Sequence, residues 1–139
     1  MAGYTLSTTL QMPYDAAVME VREGLTDQGF GVLTEIDLKA TLKAKLDVDV
    51  APQVILGACR PSLAYEAMQA DPSIATVLPC NVVVRSTGEN TTVVEAFDPD
   101  AMMGLSEQSG LDAVAADARQ RLTAMLTALV AHDTKTEEH

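Results

Sequence analysis

The sequence predicts a two-layer α+β domain in which an open β-sheet carries its helices on one face. Three observations lead to this prediction. The 139 residues suit one domain with a sizeable core, since 47% of them are apolar. Strand-like and helix-like patterns alternate in the order β-α-β-α-β-α-β-β-α. Two strand patterns around a turn near residue 90 indicate an antiparallel hairpin.

Two strand–helix units form the first part of the chain. Residues 4–11 alternate apolar and polar side chains, which is typical of a strand with one wet face. An apolar stripe with helical spacing predicts a helix over 13–28, and Gly29 suits the left-handed residue that ends it. Residues 30–36 form the second predicted strand. Asp37 is a suitable N-cap for the short helix that follows.

The middle of the chain contains the most apolar predicted strand. Residues 53–59 are a continuous apolar run, which predicts a strand covered on both faces. Pro61 begins a helix over 61–70. The apolar stretch 74–78 indicates one further short strand before Pro79.

The predicted hairpin joins strands 81–86 and 91–97. If Arg85 and Glu95 face water, the period of two places three apolar side chains on the same outer face: Val83, Val93 and Phe97. Exposed apolar side chains on this face favour its association with another protein surface. The sequence therefore predicts a homodimer that packs part of this face or an adjacent edge.

The last part of the chain contains one helical turn over 99–104 and an amphipathic helix over 111–129 that lies on the sheet. Residues 134–139 are polar and are predicted to be a flexible tail. The domain is thus expected to span residues 1–133.

The charge balance excludes two classes of partner. The chain carries 20 acidic and 9 basic residues, a formal net charge of -11. Binding to nucleic acid or to anionic lipid needs a basic footprint, so neither is expected. No signal peptide and no membrane-spanning run is visible, which predicts a cytoplasmic protein.

Both cysteines lie where a predicted core strand begins or ends beside a proline. Cys59 precedes Arg60-Pro61, and Cys80 follows Pro79. Four roles stay open for the pair, namely packing as small apolar side chains, reactive thiols, a partial metal site or a disulfide. Thiolate chemistry needs a lowered pKa, which the adjacent Arg60 and a helix start would favour at Cys59.

No metal or cofactor is predicted, because the chain has no CxxC spacing and two isolated cysteines cannot close a tetrahedral site. Its two histidines, His132 and His139, lie near the end of the chain. No catalytic triad order and no phosphate-binding glycine loop is present either.

Three further polar residues are candidates for ligand binding. Glu35 shares a strand face with Asp37 and is expected to meet a lysine or Arg60. Asn81 is interpreted as a turn residue that satisfies backbone groups. The predicted binding residues are therefore Glu35, Arg60 and Asn81, beside the candidate reactive residues Cys59 and Cys80.

The segments Gly57-Ala58-Cys59-Arg60-Pro61 and Leu78-Pro79-Cys80-Asn81-Val82-Val83-Val84 resemble motifs of the family called domain of unknown function 302. That family's pattern runs GACNP and later LPCNV with an apolar tail, and the resemblance covers roughly residues 4–130. Arg60 stands where the family usually has Asn. The resemblance implies a two-layer α/β sandwich with a mostly antiparallel sheet, a TATA-binding-protein-like topology and a dimer. It implies no particular activity.

Two functions are consistent with these features. The first is a small homodimeric binding or interaction module with a polar site near Glu35, Cys59 and Cys80 and a small-molecule ligand. The second is a thiol-dependent redox or sulfur-handling protein that uses Cys59 with Cys80. The sequence does not decide whether the protein is an enzyme.

Overall fold

The computed structural model describes residues 3–103 and 110–137. Its five strands are β1 (Thr5–Leu10), β2 (Gly31–Asp37), β3 (Gln53–Cys59), β4 (Cys80–Gly88) and β5 (Thr91–Phe97). They form one sheet in the order β1-β5-β4-β3-β2, and every neighbouring pair is antiparallel. The predicted α+β class with an open, mostly antiparallel sheet is therefore confirmed.

Five α-helices accompany the sheet: α1 (Tyr14–Asp27), α2 (Leu38–Leu46), α3 (Pro61–Ala70), α4 (Asp100–Met103) and α5 (Asp112–Glu137). Gly29 has a φ of 84° just beyond α1, as the predicted left-handed helix end requires. Asp37 caps α2, because its Oδ1 accepts a hydrogen bond of 2.9 Å from the Ala40 amide. Helix α5 extends well past the predicted end at residue 129.

Helices α1 and α5 pack on one face of the sheet, which we call the inner face. Alternate strand residues point into this layer, as the period of two requires. The largest fully buried side chains of the resulting core are Leu10, Val21, Leu25, Leu56, Val82, Val84, Val94, Leu122 and Met125. A second buried cluster joins α3 to the start of α5 and consists of Leu63, Ala67, Ile74, Leu111, Val114 and Ala118.

The predicted short strand over 74–78 is wrong. Residues Pro72–Val77 form a 3₁₀ helix, which Pro72 begins and the Asp71 carboxylate caps by accepting from the Ser73 amide at 3.1 Å. Local turn chemistry thus overrides the apolar composition of this stretch. Ile74 is buried, but it packs with α3 and α5 rather than in the sheet.

One prediction of burial also needs correction. Strand β3 alternates, so that Val54, Leu56 and Ala58 are buried whereas Ile55 on the opposite face is only half-buried. Helix α2 buries little apolar surface against the sheet, since no residue of this helix is buried and Leu46 is 66% exposed. Helix α2 therefore links β2 to β3 without joining the main core.

No helix in the described ranges is both long and apolar enough to cross a membrane.

Candidate functional site

The face of the sheet opposite α1 and α5, here called the outer face, carries an ion pair at its centre. The register of β4 and β5 places Val83 opposite Glu95 and Arg85 opposite Val93, while the alternate pairs are buried in the core. Arg85 Nη1 lies 2.6 Å from Glu95 Oε1. From β1, Thr5 Oγ1 donates a hydrogen bond of 2.7 Å to Glu95 Oε2.

These contacts fix the charge state of Glu95. The hydrogen bond from Arg85 is the main cause that lowers the pKa of Glu95 below its usual 4.5, and the hydrogen bond from Thr5 adds to it. Partial burial raises the pKa of Glu95 and so opposes this shift, whereas the positive charge of Arg85 lowers the pKa further. At neutral pH the pair is therefore fully ionised and internally compensated.

Most of the outer face is uncharged. Its exposed or half-buried side chains alternate hydroxyl, amide and apolar groups, and they comprise Thr5, Ser7, Thr9, Thr34, Ile36, Gln53, Ile55, Asn81, Val83, Val93 and Phe97. Arg85 and Glu95 add one positive and one negative charge. The face is thus close to neutral on a protein whose net charge is -11.

A groove of about 420 Å³ lies at one end of the outer face. It forms where β1, β5 and β4 meet the end of the 3₁₀ helix and Pro79, which follows a cis peptide bond. The lining combines aromatic, aliphatic and polar side chains, namely Tyr4, Thr5, Val77, Pro79, Asn81, Val83, Glu95, Ala96 and Phe97. Ligand pockets are commonly of this size and mixed character.

The two cysteines meet at a different place. Both line a cavity of about 30 Å³ between the ends of β3 and β4 and helices α3 and α5, together with Arg60. Ala58 pairs with Cys80 across β3 and β4, so Cys59 is the next residue along the strand. Both thiols are free. Cys80 is buried on the inner-face side, because it lies two residues before Val82 on the same strand.

The expected lowering of the Cys59 pKa is not found. Desolvation raises the pKa of Cys59 above its ordinary value of 9.0. Burial, with a smaller contribution from Cys59, raises the pKa of Cys80 to about 11. The Arg60 guanidinium is directed toward Asp117 on α5, with Nη1 3.7 Å from Asp117 Oδ2.

Glu35 has a different partner from the one expected. It lies on the same side of β2 as Asp37, as predicted, but its Oε1 is 2.5 Å from Nη2 of Arg22 on α1. Neither a lysine nor Arg60 forms this ion pair. Glu35 pairs along the sheet with Leu56, and about 10 Å of strand separates Leu56 from Cys59.

The structure therefore divides the predicted site residues among three places. Cys59, Arg60 and Cys80 lie together at the small cavity. Asn81 lies within β4 rather than in a turn, opposite Gly57, and lines the groove. Glu35 pairs with Arg22 and lines neither the small cavity nor the groove.

Several groove residues were not singled out by the sequence as site residues. Tyr4, Pro79, Glu95 and Phe97 come together only because β5 lies between β1 and β4. The outward direction of Glu95 and Phe97 was the available signal. Their carboxylate, phenol and aromatic groups can hold a small molecule that has an apolar body and hydrogen-bonding groups. Within the described residues, no cluster of three or more His, Cys, Asp or Glu could hold a metal ion.

The fold and the groove define a class, a two-layer α+β protein with an open antiparallel sheet and an accessible outer face. The sequence matches the family described as Domain of unknown function DUF302 over residues 6–129, and the chain belongs to that family. This confirms the resemblance seen in the two cysteine-containing motifs.

A solved structure supports the same assignment. The chain is similar to the protein described as "uncharacterized conserved protein DUF302 from Bacillus stearothermophilus", with 28% sequence identity and a TM-score of 0.81. The similarity covers 91% of this chain and 98% of the other. No curated protein matches the chain.

Proposed function

We propose that this protein is a small homodimeric binding module that uses its outer sheet face to associate with a second copy and its groove to hold a small molecule. The near-neutral outer face on a strongly acidic chain is the observation that carries the proposal. Two copies with a net charge of -11 repel each other wherever their carboxylates approach. The outer face is a surface on which they can approach at little electrostatic cost.

The side chains of this face also suit a symmetric contact. A two-fold interface brings the same patch of both subunits together, so the patch must be self-complementary. Half-buried Val83, Val93 and Phe97 offer apolar area to their own copies, and the hydroxyls of β1 offer both donors and acceptors. The Arg85–Glu95 pair is satisfied within one subunit and needs no partner charge.

The groove supports the binding part of the proposal. Asn81 and Glu95 supply an amide and a carboxylate, and Tyr4 and Phe97 supply aromatic surface. A ligand with a hydrogen-bond donor and a flat apolar part fits this combination. Because the groove opens at the end of the proposed interface, a second subunit would lie beside the bound molecule.

A thiol-dependent redox or sulfur-handling function that uses Cys59 with Cys80 is the second candidate. The shared cavity of the two thiols supports it. The raised pKa of each thiol weighs against it, since the thiolate is the reactive form.

The association is tested by placing a charge on the outer face. Val83→Asp puts an unpaired carboxylate into the proposed interface, and sedimentation equilibrium should find it monomeric where the wild type is dimeric. Val130→Asp is the matched control, because Val130 lies on α5 in the helix layer and is 42% exposed. Equal masses for Val83→Asp and the wild type, with unchanged circular dichroism, would reject the outer face as the interface.

The groove is tested with a library of small aromatic amines and amides screened by ligand-observed NMR. Binding should disappear in Asn81→Leu and persist in Asn90→Leu, since Asn90 lies in the exposed turn between β4 and β5. Ligands that bind both variants equally would place binding elsewhere.

A further inference from the structure

Strands β1 and β2 form the two edges of the described sheet, and they differ in how they are protected. An edge strand exposes backbone groups, which proteins usually guard with charges, proline or a bulge. Strand β2 has such guards, because its register shifts at a bulge after Val32 and it carries Glu35 and Asp37. Strand β1 reads TLSTTL, without charge or proline, and its register with β5 is unbroken. The β1 edge is therefore suited to pair with a further strand.

The hydrogen-bond pattern shows which β1 residues face this edge. In an antiparallel pair, every second residue bonds to the neighbouring strand. The Asp98 amide donates to the Tyr4 carbonyl at 2.9 Å, so the backbone of Tyr4 is directed toward β5. By alternation, the amides and carbonyls of Ser7 and Thr9 are directed away from β5. Both residues are exposed, so an incoming strand can reach these groups.

Helix α5 forms the second wall of a groove of about 720 Å³ along this edge. At the end of β1, the Gln11 amide donates at 2.9 Å to the Asp133 carboxylate of α5. From Arg119 to Asp133 the helix rises about 21 Å, and from Tyr4 to Gln11 an extended strand spans about 23 Å. Strand and helix thus run side by side. The helix contributes a stripe of small and aliphatic side chains, namely Thr123, Leu126, Thr127 and Val130.

We propose that this groove binds an extended segment of another protein, which adds an antiparallel strand to the sheet beside β1 and lies against α5. Every strand pair of the sheet is antiparallel, and backbone hydrogen bonds to Ser7 and Thr9 set the register of the added strand. Alternate side chains of this strand face the α5 stripe, and the others share the outer face with the Ser7 and Thr9 hydroxyls. The segment should therefore alternate aliphatic and small polar residues.

The charges around the groove favour a basic segment. At the start of β1, Arg119 Nε lies 3.1 Å from Asp98 Oδ1 and 3.3 Å from Asp100 Oδ2, which leaves one negative charge in excess. At the other end, Asp133 forms no ion pair within the described residues, and its carboxylate adds a second. The net charge of -11 attracts a cationic partner over a longer range. Lysine or arginine is therefore expected at the ends of the segment.

A second copy of the chain fits this edge less well. Two-fold pairing of β1 with β1 would bring together two chains of net charge -11. The excess carboxylates at the ends of the groove would then repel each other across the new strand pair. The basic extended segment meets no such repulsion.

The test measures the fluorescence anisotropy of labelled synthetic peptides titrated with the full-length protein. Lys-Val-Thr-Val-Thr-Val-Lys should bind at micromolar concentration with one peptide per chain, and its affinity should fall as salt rises. Glu-Val-Thr-Val-Thr-Val-Glu should bind about tenfold more weakly or less. These two peptides differ only in the charge of their ends.

N-methylated copies of the basic peptide test the strand pairing itself. In an antiparallel added strand, the threonines that share the face of Ser7 have their amides directed toward β1. N-methylation of both threonines removes these donors and should abolish binding. N-methylation of the valines alters the amides that face away from β1 and should leave most of the affinity.

Two variants of the protein alter the two walls of the groove. Ser7→Pro removes one edge amide and leaves the ladder with β5, since edge strands accept proline where the amide faces outward. It should weaken binding about tenfold or more. Thr127→Arg adds bulk and positive charge to the α5 stripe and should have a similar effect. Ala128→Arg is the matched control, because Ala128 is exposed and lies outside the groove lining. Circular dichroism verifies that each variant is folded.

Absence of binding at millimolar peptide concentration would overturn the proposal, and so would equal binding of the threonine-methylated peptide or of Ser7→Pro and Thr127→Arg. A wild-type mass of two chains that falls to one in Ser7→Pro, with no peptide bound, would assign the edge to a second copy instead. Thr127 lies on α5, away from the outer face, so Thr127→Arg should keep the mass of the wild type. Loss of peptide binding is thereby separated from failure of the proposed dimer.

Discussion

Arg85 and Glu95 form an ion pair of 2.6 Å across β4 and β5 on the outer face, away from α1 and α5. Thr5 of β1 completes it with a hydrogen bond to the second carboxylate oxygen. Three of the five strands are thus joined by one carboxylate. Because both charges are compensated within the chain, the pair keeps this face close to neutral.

The pair predicts a pH-dependent contribution to stability. The pKa of Glu95 is lower in the folded protein than its usual 4.5, so its stabilising effect is complete above about pH 4.5 and is lost as pH falls through the lowered pKa. Glu95→Gln should therefore unfold at lower urea concentration than the wild type at neutral pH. The difference should shrink as the solution becomes more acidic.

Glu89→Gln is the control for this prediction, because Glu89 is exposed in the turn before β5 and forms no ion pair within the described residues. Its effect on urea unfolding should be small. A Glu95→Gln difference that stayed constant with pH would show that packing, and not ionisation, accounts for the role of Glu95.

Because Gly57 has no Cβ, the Thr34 and Pro79 side chains can lie close to its backbone. We expect a second effect on stability from this contact. A Cβ at this buried position would meet Thr34 Oγ1 and would stand 2.8 Å from Pro79 Cγ. Gly57→Ala should lower the free energy of unfolding by about 1–3 kcal/mol, the usual cost of an overpacked site. Chemical denaturation measures this change.

Gly3→Ala provides the matched substitution, since a Cβ there would have no neighbour within 4 Å. It should leave the free energy of unfolding nearly unchanged. If both variants behaved alike, the contact between Gly57, Thr34 and Pro79 would not be a constraint on this fold.

The thiols give a prediction about reactivity. Burial raises the pKa of Cys80 to about 11 and also raises the pKa of Cys59, so little thiolate is present at neutral pH. Alkylation of the native protein, followed by mass spectrometry, should be slower than that of a free thiol. Cys59 should react before Cys80, because it is the less buried of the two.

The unfolded protein serves as the reference for this measurement, since both thiols should then react at the rate of free cysteine. Alkylation of native Cys59 faster than this reference would indicate an activated thiolate. That result would favour the thiol-dependent function over the binding module.

Features that depend on local chemistry could be predicted from the sequence. The period of two correctly oriented Val83, Arg85, Val93 and Glu95, because neighbouring residues of a strand must face opposite sides. Asp37 was recognised as a cap because its partner, the amide of Ala40, is only three residues away.

Features that depend on the order of the strands in the sheet could not be predicted from the sequence. The Arg22–Glu35 pair exists because α1 returns across the inner face, and several basic side chains, Arg60 among them, were equally suitable partners for Glu35. The groove residues Tyr4 and Asn81 are brought together by the position of β5 between β1 and β4. A pattern along one strand carries no information about which strands become neighbours.

The 3₁₀ helix illustrates a third case, in which two local signals disagreed. The apolar stretch that contains Ile74 indicated a strand, whereas Asp71 followed by Pro72 is typical of a capped turn. The turn formed because its hydrogen bonds are made within the segment.

Light scattering of the wild-type protein over a range of micromolar concentrations tests the central claim most directly. One chain has a mass of 14.7 kDa. Association through the outer face predicts twice this mass at neutral pH and moderate ionic strength. The mass of a single chain throughout the range would contradict the proposed homodimer.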